Sequence, residues 1–177
     1  MENYVVMNRV DLAKVKQFLK LPEVQDALKI DDLDTVYTYA LKSDNDADVS
    51  YLTEFFLGNG IDPLQYVTRV HKDSFLGVHL VDYGIEQLTV PAHIERIEEY
   101  GFYDCSGVES VVIENGCTSI SVGAFAYCQA SKIYIPESVT TINDNAFRFC
   151  DKVTIYCKEG SYAHGYCEHL QLKYELI

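Results

Sequence analysis

The stretch Ile97-Glu98-Glu99-Tyr100-Gly101-Phe102-Tyr103-Asp104-Cys105 returns as Ile120-Ser121-Val122-Gly123-Ala124-Phe125-Ala126-Tyr127-Cys128. It returns again as Ile142-Asn143-Asp144-Asn145-Ala146-Phe147-Arg148-Phe149-Cys150. Phe102 stands 23 residues before Phe125, and Phe125 stands 22 before Phe147; the isoleucines and cysteines keep the same steps. A period in the low twenties predicts a solenoid, because one such unit cannot bury its apolar edge except against the next. Equivalent positions then stack in columns, so Phe102, Phe125 and Phe147 are expected in one interior row. Cys105, Cys128 and Cys150 are expected in another, as small apolar residues.

Short apolar segments fall between the copies. Strands are expected at Gln87–Val90, Ser110–Ile113, Lys132–Ile135 and Lys152–Ile155, paired as a parallel sheet. Alternation turns Leu88, Val90, Val111, Ile113, Ile133, Ile135, Val153 and Ile155 inward. Two columns then point outward: Thr89, Val112, Tyr134 and Thr154, and beside them Gln87, Ser110, Lys132 and Lys152. Pro91 and Pro136 follow two of the segments and end the ladder, which proline cannot feed with an N–H. Val70 and Phe75 lie 27 residues before Ile97 and Phe102. They read as a degenerate first coil with extra residues around Gly77 and Gly84.

Residues 1–67 show helical periodicity instead. Asp11 can cap a helix to about Lys20 with Leu12, Val15, Phe18 and Leu19 on one face. Pro22 suits the first turn of a second helix carrying Val24, Ala27 and Leu28. Asp31 or Asp32 caps a third, with Leu33, Val36, Tyr37, Ala40 and Leu41 spaced as a core-facing stripe. The polar run Ser43–Asp48 reads as a loop. A fourth helix spans about Ser50–Leu57 and stops at Gly58 and Gly60. Asp62-Pro63 opens a last short turn, with Gln65 placed to close a capping box.

The run Ile135-Pro136-Glu137-Ser138-Val139-Thr140-Thr141-Ile142, ending in Ala146-Phe147-Arg148-Phe149-Cys150, resembles the leucine-rich repeats of BspA-like proteins. The tail Cys157-Lys158-Glu159-Gly160-Ser161-Tyr162-Ala163-His164-Gly165-Tyr166 is similar to that family's C-terminal cap. The resemblance covers about residues 85–177. Two departures stand out: Glu114-Asn115 in place of Ile-Pro, and Gly101 in place of the alanine before Phe102. The resemblance implies a right-handed solenoid whose concave sheet binds macromolecules. It also implies an exported surface protein, whereas Met1–Arg9 has an early acid and no long apolar core, so it does not read as a signal peptide.

The chain has 177 residues, 48% of them hydrophobic, and a net charge of −13. Residues 1–80 hold 8 basic and 13 acidic residues, and residues 81–177 hold 6 and 14, so both parts are acidic. Such a chain is repelled by nucleic acid and by anionic membrane. No apolar run reaches the ~20 residues that span a bilayer. A cytoplasmic location is therefore expected, with its six thiols reduced.

Motifs for chemistry are sparse. Asp44-x-Asp46-x-Asp48 opens like a calcium loop, but that loop needs glycine at its sixth place and glutamate at its twelfth, where Val49 and Phe55 stand. Cys157, His164, Cys167 and His169 cluster, yet no C-x-x-C is present and Cys167-x-His169 does not share a helix face. A capping helix with Ser161 as its N-cap accounts for them better. No nucleophile elbow, phosphate-binding loop or zinc-protease motif occurs, and buried thiols are poor nucleophiles.

The expected fold is α+β: a small helical unit at 1–67 and a short leucine-rich-repeat solenoid with its cap at 68–177, its parallel sheet lying on the concave face. The expected function is non-enzymatic, without cofactor or metal: a module that binds a protein partner with a basic surface through Gln87, Thr89, Ser110, Val112, Lys132, Tyr134, Lys152 and Thr154. Two other readings stand beside it. One is an acidic inhibitor of phage or mobile-element type that mimics nucleic acid. The other is a fragment of a bacterial surface adhesin, which requires an export signal upstream. The oligomeric state is open at this stage.

Overall fold

A computed structural model describes residues 16–42 and 49–177. Of the first expected helix, residues 16–18 are helical, Phe18 is buried and Leu19 packs against the core; Leu12 and Val15 lie outside the described residues. Helix α1 (Pro22–Leu28) begins on its proline and buries Val24 and Ala27. Helix α2 (Leu33–Lys42) is capped by Asp32, whose carboxylate accepts from the Thr35 N–H at 3.1 Å and the Thr35 hydroxyl at 2.6 Å. Its stripe buries Leu33, Val36, Tyr37 and Ala40, but Leu41 stands 40% exposed, since the buried face is satisfied one position earlier. Helix α3 (Val49–Gly58) ends before Gly60, whose φ is 74°. A 3-10 turn at Pro63–Gln65 follows. Asp62 caps it by accepting from the Leu64 N–H at 3.0 Å, and Gln65 contributes its backbone N–H to the Asp62 carbonyl at 3.2 Å.

From residue 69 the chain winds into about four parallel coils. The longer sheet contains β2 (Gln87–Val90), β4 (Ser110–Ile113), β6 (Lys132–Tyr134), β8 (Thr154–Cys157) and β9 (Tyr174–Leu176), in that order. A second parallel sheet, unforeseen from the sequence, joins the two-residue strands β1 (Arg69–Val70), β3 (Arg96–Ile97), β5 (Ser119–Ile120) and β7 (Thr141–Ile142). Its inward residues, Val70, Ile97, Ile120 and Ile142, are the first members of each motif copy. Helix α4 (Tyr162–Leu170) lies between β8 and β9, with Ser161 Oγ accepting from the His164 N–H at 3.2 Å as its N-cap.

The phenylalanine row is as expected. Phe75, Phe102, Phe125 and Phe147 are all buried, with successive ring centroids 4.9, 5.2 and 5.4 Å apart. The first coil is longer because a 3-10 turn, Leu80–Tyr83, is inserted between the turn and β2; it closes on Gly84 at φ 77°. Cys105 and Cys128 are buried, and Cys150 is partly so, its thiol donating to the Phe125 carbonyl at 2.9 Å.

A backbone ladder ties the turns together, each N–H donating to a carbonyl of the following coil. Phe75, Phe102 and Phe125 donate to Gly101, Ala124 and Ala146 at 2.8–2.9 Å. Gly77, Asp104 and Tyr127 donate to Tyr103, Ala126 and Arg148 at 2.8, 2.8 and 3.0 Å. A third column has Asp73, Tyr100 and Gly123 donating to Glu99, Val122 and Asn145.

Both departures from the repeat have a steric or polar reason. A Cβ at Gly101 would stand 2.9 Å from Val70 Cγ1, so glycine admits the first coil. The register keeps an isoleucine there after all, Ile113 aligning with Ile135, so Glu114 takes the proline's place and reaches back to accept from the Ala92 N–H at 2.9 Å.

The buried cluster runs without a break from Phe18 to Cys167, so the helices and the coils share one core. Asp34 on α2 reaches the first coil, accepting from the Thr68 N–H (2.9 Å) and hydroxyl (2.7 Å) and meeting His71 Nε2 at 2.7 Å. Tyr37 stacks on the His71 ring at 5.1 Å and shares a buried hydrogen bond with the Thr53 hydroxyl at 2.6 Å.

Candidate interaction surface

The outward face of the longer sheet is built by register. Gln87 aligns with Ser110, Ser110 with Lys132 and Lys132 with Thr154; Thr89 aligns with Val112, Val112 with Tyr134 and Tyr134 with Tyr156. The fourth strand thus begins two residues later than expected, at Thr154 instead of Lys152. Two placements change as a result. Thr154 belongs to the Gln87 column and is buried, and Lys152 lies outside the strand. The residue beside Tyr134 is Tyr156. The 22-residue step from Tyr134 points to it, whereas the apolar pair Val153 and Ile155 favours a strand that starts two residues earlier.

Tyr134 and Tyr156 stack at 4.6 Å with their planes 24° apart, and both are half-buried. Val112 lies alongside them. The Lys132 ammonium donates to Glu109 at 3.1 Å, which holds its pKa above the usual lysine value. Ser110 Oγ bonds Gln87 at 3.2 Å. The face therefore carries an aromatic and aliphatic centre with a polar margin, and an open cleft of about 610 Å³ runs over Val112, Tyr134, Ile135 and Ile177. That arrangement suits a contact in which rings are desolvated at the middle and polar groups stay wet at the edge.

Among the described residues the other candidates are not brought together for chemistry. Cys157 and Cys167 are buried side by side, and burial pushes the Cys167 thiol up to about 12. His164 Nδ1 accepts from the Gly160 N–H at 3.1 Å, and His169 is exposed. Asp44, Asp46 and Asp48 lie outside the described residues. Among the described residues no group of three or more His, Cys, Asp or Glu side chains converges as a metal site. Burial likewise raises the Cys105, Cys128 and Cys150 thiols, the last to about 12.

The Asp34–His71 pair, 37 residues apart in sequence, left no local signal. Burial is the largest influence on His71 and lowers its pKa despite the carboxylate beside it. Burial would raise Asp34, but the bonds from Thr68 and His71 prevail and leave it lowered. The ring is therefore neutral at pH 7, with Nε2–H donating to Asp34. Ser74 Oγ is buried nearby with no partner among the described residues. The pair fastens α2 to the first coil. Among the described residues no helix is long and apolar enough to cross a membrane.

No curated protein and no solved structure matches the chain. A family match covers residues 68–164; it spans more than half of the chain and includes the strands β1 to β8. With the stacked parallel strands and the continuous phenylalanine row, this places the chain in the family described as the BspA type leucine-rich repeat region.

Proposed function

We propose that the chain is a non-enzymatic protein-interaction module. Its partner-binding surface is the outward face of the longer sheet, centred on Val112, Tyr134 and Tyr156 and flanked by Gln87, Thr89, Ser110 and Lys132. The observation that carries this reading is the stacked Tyr134–Tyr156 pair at the centre of a polar-rimmed face. A leucine-rich-repeat solenoid supplies a rigid, regular surface and little else. The helical unit, residues 1–67, serves as the cap of the first coil, and its acidity favours a partner with a basic surface.

Affinity capture from the native host with the wild-type chain and with Tyr134→Ala/Tyr156→Ala, read by mass spectrometry, tests the assignment. A protein held by the wild type and lost from the variant, with melting unchanged, is the expected result. Equal retention by both refutes the face. Salt separates this reading from nucleic-acid mimicry. An aromatic anchor loses little affinity between low and high ionic strength, whereas a charge mimic loses most of its grip.

A further inference from the structure

The backbone ladder has an unfinished end. In the last coil the positions equivalent to its donors are Asn145, Phe147 and Phe149. The Asn145 N–H is taken by its neighbour's side chain, Asn143 Oδ1, at 3.0 Å. Among the described residues the N–H groups of Phe147 and Phe149 have no partner, although every earlier coil bonds both.

Helix α4 closes the phenylalanine row but not the turn. Tyr166 meets Phe147 edge-on at 6.1 Å, and its hydroxyl donates to the Asn143 carbonyl at 3.2 Å. Beyond it lies a cleft of about 440 Å³ walled by Phe149, Val153, Leu170 and Leu172. A row of outer rings also ends there: Tyr103 meets Tyr127 at 5.3 Å, Tyr127 stacks on Phe149 at 4.6 Å, and Phe149 is 51% exposed.

We propose that this end of the solenoid is a second binding site, independent of the sheet face, for an extended peptide segment of a protein partner. The geometry of the preceding interface sets what the segment must carry. Ala146 and Arg148 present carbonyls two residues apart to Phe125 and Tyr127, and Phe149, the next residue, lays its ring on Tyr127. A ligand needs the same three features: two carbonyls at i and i+2, then an aromatic side chain at i+3 to cover Phe149. This is strand addition applied to a turn, where main-chain bonds supply affinity and a ring supplies selectivity. Asp144 and Asp151 oppose Arg148 and Lys173 around the cleft, so charge does not choose the ligand. The chain's own first coil is a poor occupant, because its i+3 place, after Ser74 and Leu76, is Gly77 and carries no ring.

The test is an amide NMR titration of the full, isotopically labelled chain. The probe is a synthetic peptide with the sequence of residues 141–150, serine replacing Cys150. The Phe147 and Phe149 amides are expected to move downfield saturably and to exchange with solvent about tenfold more slowly. The same peptide with alanine at its Phe149 position is expected to bind about two- to tenfold more weakly, the worth of one ring pair. Amides that stay unmoved at millimolar peptide overturn the proposal, as does equal binding of the alanine peptide. Shifts of these two amides with protein concentration alone, together with a dimer mass by light scattering, would assign the end to a second copy and overturn it too.

Discussion

Phe125→Ala interrogates the feature on which the whole architecture rests. The ring is wholly buried and lies between two others, with Phe102 at 5.2 Å and 15° and Phe147 at 5.4 Å and 5°. Truncating a buried phenylalanine costs about 3–5 kcal/mol through lost transfer energy and the cavity left behind. Each ring pair adds about 0.5–1.5 kcal/mol to that site, and Phe125 forfeits two. The loss should therefore fall at the upper end, lowering the melting temperature by roughly 10–20 °C for a chain of this size. Phe75 provides the internal scale: it heads the row and has one ring neighbour in it, so Phe75→Ala should cost about 0.5–1.5 kcal/mol less. Phe149→Ala, at a half-exposed ring, should cost about 1.5 kcal/mol or less. Urea unfolding followed by tyrosine fluorescence and far-ultraviolet dichroism measures all three. A Phe125→Ala variant within about 1 kcal/mol of the wild type, at an unchanged denaturant slope, would refute the buried row.

His71 is neutral in the fold, its pKa lowered chiefly by burial. The unfolded chain therefore binds the proton more readily, and stability is complete above pH ~6.5 and declines as pH falls below it. The urea midpoint of the wild type should drop as pH falls below about 6.5, and His71→Gln should flatten that part of the profile. An unchanged slope in the variant would show that the junction is not where acid acts. Gly116→Ala should destabilise by about 2 kcal/mol or more, because a Cβ there would sit 1.8 Å from the Ala92 carbonyl oxygen, backbone that cannot swing aside; a calorimetric scan reads the loss. Tyr134→Ala should leave the melting temperature within a few degrees of wild type while weakening any partner bound to the sheet face, as isothermal titration would report.

Much of the fold is written along the chain because a solenoid keeps related residues at one fixed interval. The 22- and 23-residue steps put Phe102, Phe125 and Phe147 in one row before any coordinate is known, and Ser161 announces the capping helix by its chemistry alone. Local periodicity likewise reveals α1 and α2. At β8 the apolar alternation around Val153 and the repeat interval disagree, and the interval sets the register, bringing Tyr156 beside Tyr134.

What the sequence determines by itself is the repetition: a coil, its inward row and the family to which they belong. The tertiary structure alone decides the rest, because it depends on contacts without a fixed spacing. Asp34 finds His71 across 37 positions, β9 pairs with β8 only after α4 has turned the chain back, and the Phe147 and Phe149 N–H groups have no partner among the described residues. A repeat specifies how each unit meets its neighbour; it carries no instruction for the ends, where the neighbour is something else.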